Sequence, residues 1–478
     1  MVYLSCEKQE TNLKSKNIYN FALRDRLETE DPTFSVDMTS GIILSLIHRN
    51  LYKSNSSGLI IYDLVEKETI ENSNLLLSIK KNISFQYGCE EKLTAEDAEF
   101  SLNRLIDTKR QTWVIKDIQS FNKSNDYILK ITPDLTDGIS FQKWYKEKWP
   151  DVKARLTLSQ AAVYSKKCFI NKNKFASASG FFIKENNPQY INIAYKSTDF
   201  QIIYSILPDE AGRWFYFKRE LLDVYQPEGI FRDFLYDTSK YEKSDIPQLV
   251  VFYGAFTMPK NKDSILNDVE FRRALNFRLN RKALTQKTLL GAYKDADYPV
   301  PDLLAKPLAE MYVYNSSYKY QNKTDEVIYI YSPSDRERQM TGQVLRSVIE
   351  KMGIRAELKI YDFPTILRFN NERKPGIYLL KWVADYPHAS NFLTPLFHSK
   401  NAGSMGNRSY FKDVKTDDLL DKLWEGEENI KRAQIEIQKQ APWVFIGFAN
   451  QRFLMNKKKK VKIPVTYTAW DKESFFLE

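Results

Sequence analysis

The chain has 478 residues, with 71 Lys and Arg against 61 Asp and Glu and a net charge of +10. Apolar residues make up 43%, including 29 Tyr, 29 Phe and 8 Trp, which excludes an intrinsically disordered chain; 16 Gly and 18 Pro exclude collagen-like repeats. No stretch reaches the roughly 18 consecutive apolar residues of a membrane helix, and the length predicts two or three domains. The excess of positive charge is mild and spread among acids. The one dense run, Lys457 to Lys460 with Lys462 beyond it, reads as a solvated edge, so no nucleic acid is expected as a partner.

In chain order, Asp31-Pro32 marks a turn, and the apolar periodicity of Ser40 to Leu51 predicts a helix. A turn at Asn55-Ser56-Ser57-Gly58 precedes a strand at Leu75–Ile79, which leads into Phe85-Gln86-Tyr87-Gly88. Thr94 reads as the N-cap of a helix through Arg104, because Glu96 and Asp97 place carboxylates in its first turn. Strands are expected at Tyr127–Thr132, Tyr190–Tyr195 and Gln248–Tyr253. One long helix is expected from Val269 to Leu290, on the apolar positions Val269, Leu275, Leu279 and Leu284. A strand at Val327–Tyr331 and a Ser332-Pro333-Ser334-Asp335 turn follow, then a helix from Arg336 to Met352 that Gly353 ends. Strands at Ile354–Tyr361 and Ile377–Trp382 flank a helix around Pro364–Asn371. This alternation is that of an α/β sheet covered by helices.

The sequence holds no G-x-S-x-G, phosphate-binding loop or G-x-G-x-x-G. Its three His, His48, His388 and His398, are not at metal-ligand spacing. No enzyme activity, metal or cofactor is therefore expected. Cys89 and Cys168 are read as two separate thiols, with pairing in an oxidising compartment left open, because sequence cannot set their geometry. Cys6 has a different setting. Tyr3-Leu4-Ser5-Cys6, followed by the polar stretch Glu7 to Lys16, resembles the end of a bacterial lipoprotein signal and makes Cys6 the expected lipidation site. Tyr3 stands where Leu is usual, and five residues precede Cys6 where a leader has a basic start and an apolar run of about 7–15 residues.

Three blocks in order carry a wider resemblance. The first holds Asp31-Pro32, Leu46 to Leu51, Gly58, Asp63 to Glu66, Leu77 to Phe85, Gly88 and Leu93-Thr94-Ala95-Glu96-Asp97-Ala98-Glu99-Phe100-Ser101-Leu102-Asn103-Arg104. The second runs Asp268-Val269-Glu270-Phe271-Arg272-Arg273-Ala274-Leu275 to Asn280-Arg281-Lys282-Ala283-Leu284, with Gly291 and Pro299-Val300-Pro301 behind it. The third is Met352-Gly353-Ile354 through Leu358, then Trp382-Val383-Ala384-Asp385-Tyr386-Pro387, Asn391-Phe392 and Pro395-Leu396-Phe397. Together they resemble the extracytoplasmic solute-binding proteins of peptide ABC importers, the oligopeptide- and dipeptide-binding family.

The resemblance implies an α/β, bilobed, periplasmic-binding-protein-like (Venus-flytrap) fold with an additional inserted domain. Domain I would be discontinuous (13–49, 175–248 and 455–478), domain II would be an insertion (50–174), and domain III (249–454) would form the second ligand-binding lobe. It further implies a monomeric receptor in the periplasm or cell envelope, lipid-anchored at Cys6, that closes on short peptides and delivers them to an ABC permease. By residue matching, Asp385 would take the peptide's α-amino group and Trp382 and Phe363 would lie near the ligand. Val383 would offer backbone groups, and Val36 and Met38 would pair with the peptide main chain. Asn280 stands where the family usually has Asp, Ala255-Phe256-Thr257 where Phe-Asn-Thr is common, and the helix before the third block is shortened to the Tyr312–Lys319 region. Asn370 and Leu379 occupy positions where relatives place basic residues for a ligand carboxylate, leaving Arg336 or Arg338 as substitutes. Three alternatives stay open: another cargo (a metal chelate, an oligosaccharide or an opine), an adhesin- or chaperone-like envelope protein, or, if the gene starts at Met1, a cytoplasmic enzyme.

Overall fold

The computed structural model describes residues 17–55, 59–86, 89–109, 111–172, 174–176, 178–196, 198–227, 239–321, 325–403, 406–459, 461–464 and 474–475. Cys6 lies outside them, as does most of the turn expected at Asn55–Gly58. The chain forms two compact units: residues 1–145, 152–245 and 452–478 in the first, 146–151 and 246–451 in the second.

The first unit holds two four-stranded sheets. In one, Ile18–Leu23 pairs in parallel with Gln201–Ile206, which continues antiparallel through Tyr190–Tyr195 to Phe181–Asn186. The other is an antiparallel sheet of two hairpins in the order Val65–Glu71, Asn74–Ile79, Ile128–Pro133, Ile118–Asn125. In Asn74–Ile79, Leu75, Leu77 and Ile79 are buried while the residues between them are partly open, the two-residue period of a half-buried strand. The helix Ala95–Asp107 begins at Thr94 as expected. The Thr94 N–H and hydroxyl both donate to Asp97 Oδ2, at 2.9 and 3.1 Å.

Arg104, near the end of that helix, reaches back 73 residues. Its guanidinium binds Asp31 at two points, 3.0 and 2.7 Å, and lies 4.4 Å from the centre of the Phe169 ring. Asp31 in turn caps the short helical turn Pro32–Phe34, accepting from the Thr33 N–H at 3.0 Å. The first block is thus a clamp on the loop that precedes Val36 and Met38.

Cys89 and Cys168 form a disulfide, with Cα atoms 6.0 Å apart, the usual spacing for such a bond. The expectation of two separate thiols is corrected: the two cysteines, 79 positions apart in the sequence, are brought together because the chain folds back and sets the helix Lys166–Lys172 beside Cys89. The helix expected to reach Leu51 ends at Ile47, where His48 turns extended as its C-cap.

His48 is 3% exposed, and neither ring nitrogen has a hydrogen-bond partner among the described residues. Burial pushes its pKa down to about 4, against the opposing pull of the Asp31 carboxylate. The folded protein therefore binds fewer protons here than the unfolded chain, whose histidine titrates near 6.5. Stability is fully present above pH 6.5 and falls as the pH drops towards 4, by about 3 kcal/mol at about 1.4 kcal/mol per pH unit. Urea unfolding of wild type and His48→Gln between pH 7 and 4 should show that fraction of the acid dependence missing from the variant.

In the second unit the sheet runs in the order Trp443–Asn456, Tyr241–Thr257, Gly376–Val383, Ile328–Pro333, Ala356–Tyr361. Both faces are apolar. Val251, Tyr253, Ala255, Trp443 and Phe445 join one core, and their neighbours Phe252, Phe256, Val444 and Ile446 join the other, as a sheet covered on both sides requires. The helix Arg336–Glu350 packs closely on the edge strand because residue 342 is Gly; a Cβ there would sit 2.5 Å from Leu358 Cδ1.

The single helix expected from Val269 to Leu290 is two pieces. Val269–Arg278 ends where Leu279 turns extended (φ −81°, ψ 114°), and the Asn280 side chain then caps a new helical start by accepting from the Ala283 N–H at 2.8 Å. Apolar spacing could not reveal the break, because Leu279 and Leu284 are buried on either side of it.

Candidate functional site

The strand Gly376–Val383 pairs with Tyr241–Thr257 along its length, from Gly376 opposite Thr257 to Val383 opposite Val250. On its other side Ile328–Pro333 pairs with it only at Ile377 and Tyr378. Beyond Tyr378, among the described residues, the strand has a strand neighbour on one side only. That stretch ends in Trp382 and Val383, with Asp385 in the turn after it.

One buried amide organises this turn. Asn391, in the helix Ser390–Phe397, accepts from the Trp382 indole N–H at 3.2 Å and from the Asp385 backbone N–H at 3.0 Å through the same Oδ1. Its Nδ2 donates to Asp385 Oδ2 at 3.3 Å. Trp382 is thereby held half-buried against the core while Val383 stays 49% exposed. Asp385 is reachable by solvent yet crowded by the protein around it. This crowding raises its pKa above the ordinary carboxylate value, and the bond from Asn391 opposes the rise. No cation among the described residues pairs with it. A carboxylate with acceptor capacity left over and no counter-charge is a site for an incoming cation.

Phe363 belongs to a different element of the same unit. It is the first residue of the helix Phe363–Asn371, which Asp362 caps by accepting from the Thr365 N–H at 2.7 Å. Its ring is 45% exposed, with the Arg338 guanidinium 5.7 Å from its centre. Arg338 is ion-paired with Asp335 at 3.3 Å, and its Nε is buried without a hydrogen-bond partner among the described residues. Asn370 and Leu379 are structural. Asn370 is buried and donates to Thr257 Oγ1 at 2.7 Å and the Arg408 carbonyl at 2.9 Å, and Leu379 is core.

Val36 and Met38 lie in the first unit, both strongly exposed at 75% and 57%. The loop carrying them is fixed from below. Gln160 donates to the Ser35 carbonyl at 2.7 Å, and Asp37 caps the helix Met38–Ile47 by accepting from the Ser40 N–H at 2.8 Å. The Val36 main-chain N–H and C=O have no hydrogen-bond partner among the described residues. An exposed, extended segment with unused main-chain groups suits pairing with another extended chain.

Trp382 and Asp385 are thus brought together by Asn391, a residue of the third block whose sequence context assigns it no role. Its signal was weak. An Asn six residues past an Asp says nothing about distance until the turn between them is known.

The family model described as bacterial extracellular solute-binding proteins, family 5 middle, matches residues 60–404. Heme-binding protein A of Haemophilus influenzae is 25% identical over 281 residues, 52% of this chain and 49% of that protein, so the chain spans about half the length of this relative. The periplasmic murein peptide-binding protein MppA of Escherichia coli is 21% identical over 437 residues, covering 82% of this chain and 80% of that protein. Among solved structures, the unliganded open form of the periplasmic murein tripeptide binding protein MppA superposes with a TM-score of 0.78 at 16% identity, covering 96% of this chain and 97% of that one. At such low identity the superposition establishes the fold, which is α/β and of the bilobed periplasmic-binding-protein type.

Proposed function

The chain belongs to the bacterial extracellular solute-binding proteins of family 5, and from that premise we propose that it is a receptor that closes its two lobes on a short peptide and delivers it to an ABC permease. The observation that carries the peptide reading is Asp385, a crowded carboxylate with no cation partner among the described residues, held in place by Asn391. It stands past a strand end that, among the described residues, has a strand neighbour on one side only. A peptide supplies what both features lack: an ammonium at its N-terminus and main-chain groups along its length. In this reading Trp382 and Phe363 offer ring surface, Val383 and the Val36–Met38 segment offer main-chain contacts, and domain I (13–49, 175–248, 455–478), domain II (50–174) and domain III (249–454) have the family's arrangement.

The disulfide supports an oxidising compartment outside the cytoplasm. Among the described residues no helix is long and apolar enough to cross a membrane, and in this reading a monomer is tethered through a lipid on Cys6. The test is calorimetric titration with a tripeptide and its N-acetylated form. The free peptide should bind at least about a hundredfold more tightly, the worth of one desolvated ion pair. Equal binding of both, or binding of heme with neither peptide, would overturn the assignment.

A further inference from the structure

The turn that carries Asp385 is fastened at two points. Asn391 holds it from the helix Ser390–Phe397, and a second carboxylate holds it from a distant part of the chain. We infer that this carboxylate, Asp151, is a positioning residue of the ammonium site: it acts on the ligand by fixing where Asp385 stands. The inference rests on the peptide reading above and deepens it.

Residues 146–151 belong to the second unit, and they bring one oxygen, Asp151 Oδ1, to both ends of the turn. It accepts from the Tyr386 hydroxyl at 2.6 Å, 235 positions away in the sequence, and from the Ser390 hydroxyl at 3.3 Å. Tyr386 directly follows Asp385, and Ser390 directly precedes Asn391. The two hydroxyls therefore flank the two partners of the Asn391–Asp385 bond. Tyr386 and Ser390 are 9% and 3% exposed. Hydroxyls so buried are normally paired, and a bond to an ionised oxygen is roughly twice as strong as one between neutral groups.

His388 closes the turn from within. Its Nδ1 accepts from the Ser390 N–H at 3.1 Å, which leaves the ring proton on Nε2. The ring stacks on Trp424 with centres 3.6 Å apart. Ser390 is thus tied on its backbone side to His388 and on its hydroxyl side to Asp151. A group placed to receive a charge performs only as well as the contacts that fix it. Without Asp151, the Tyr386 and Ser390 hydroxyls lose the acceptor they share, and Asp385 is left to the long bond from Asn391, at 3.3 Å.

The experiment is calorimetric titration of the full chain with the tripeptide and its N-acetylated form. The proteins are wild type, Asp151→Ala, Asp151→Asn, Tyr386→Phe, and Asp385→Ala with and without Asp151→Ala. Asp151→Ala should weaken the free tripeptide about tenfold and the acetylated one less than about twofold, because only the free ammonium uses Asp385. Asp151→Asn keeps an accepting oxygen and should bind within about threefold of wild type. Tyr386→Phe, which removes one of the two hydroxyls, should share the loss. Without the Asp385 carboxylate, Asp151→Ala should cost less than about twofold, as expected when one residue acts through another. A wild type that binds both tripeptides alike overturns the peptide reading and this role with it. If the wild type prefers the free tripeptide, three results overturn the role alone. In the first, Asp151→Ala and Tyr386→Phe both bind the free tripeptide within about threefold of wild type. In the second, Asp151→Asn loses as much as Asp151→Ala. In the third, the loss is equal for the acetylated form or persists without Asp385.

Discussion

Asp385→Ala lowers the affinity for a peptide with a free N-terminus at least about a hundredfold, while the thermal midpoint stays where it was. The carboxylate stands in surroundings that already disfavour its charge, and no cation among the described residues offsets them. A ligand ammonium would supply the missing partner. Without the carboxylate, that ammonium would be desolvated against nothing, a loss of about 3 kcal/mol or more. Stability is spared because the side chain reaches solvent and its bond to Asn391, at 3.3 Å, is long. Asp385→Asn separates charge from shape: it keeps the size of the side chain, and its affinity should fall nearly as far. Calorimetry on both variants checks this, and a loss smaller than about threefold would contradict it.

Arg281→Ala should have the largest effect on stability, a loss of about 3–5 kcal/mol in urea unfolding, as for removing one member of a buried charged network. The guanidinium is 4% exposed and faces carbonyls rather than a carboxylate. It donates to Phe445 O at 2.9 Å, Tyr312 O at 3.0 Å, and Asn276 O and Oδ1 at 2.8 and 2.9 Å. Burial lowers its pKa, yet from so high an ordinary value that it stays charged. Removing it leaves a void and several buried carbonyls without a donor. Arg272 does the same work one helix earlier, donating to Leu266, Asn267, Gln440 and Ala441 carbonyls at 2.8–3.0 Å. The second block of the resemblance is therefore architectural: Arg272 ties its helix to the end of the helix Glu427–Gln440, Arg281 ties the next helical piece to the strand Trp443–Asn456, and neither touches a candidate ligand position. A loss below about 1 kcal/mol for Arg281→Ala would contradict this.

What the sequence revealed, and what it concealed, follows from the range of the interactions. Thr94 and Asp97, three residues apart, announce a helix start because the capping bonds lie within one turn. Asp335 before Arg336 and Gly353 after Met352 mark the helix Arg336–Glu350 for the same local reason. The unbroken apolar runs of the second unit, such as Val250 to Phe256 and Trp443 to Phe448, show which strands are buried on both faces. The Cys89–Cys168 bond, the Arg104 clamp on Asp31 and the Asn391 amide beneath Asp385 join residues that only the folded chain brings together, and no periodicity reports them. The break at Leu279 was concealed differently, since both sides of it bury leucines at helical spacing. Asp385 and Trp382 were visible only through resemblance; their residue types alone would fit any turn.

The most direct test of the peptide-receptor account is mass spectrometry of whatever small molecules leave the purified protein when it is denatured. The account predicts short peptides of mixed sequence, each with an unblocked N-terminus, released by the wild type and depleted from Asp385→Ala. A wild type that releases no peptide, or a single non-peptide species that the substitution does not change, would contradict it.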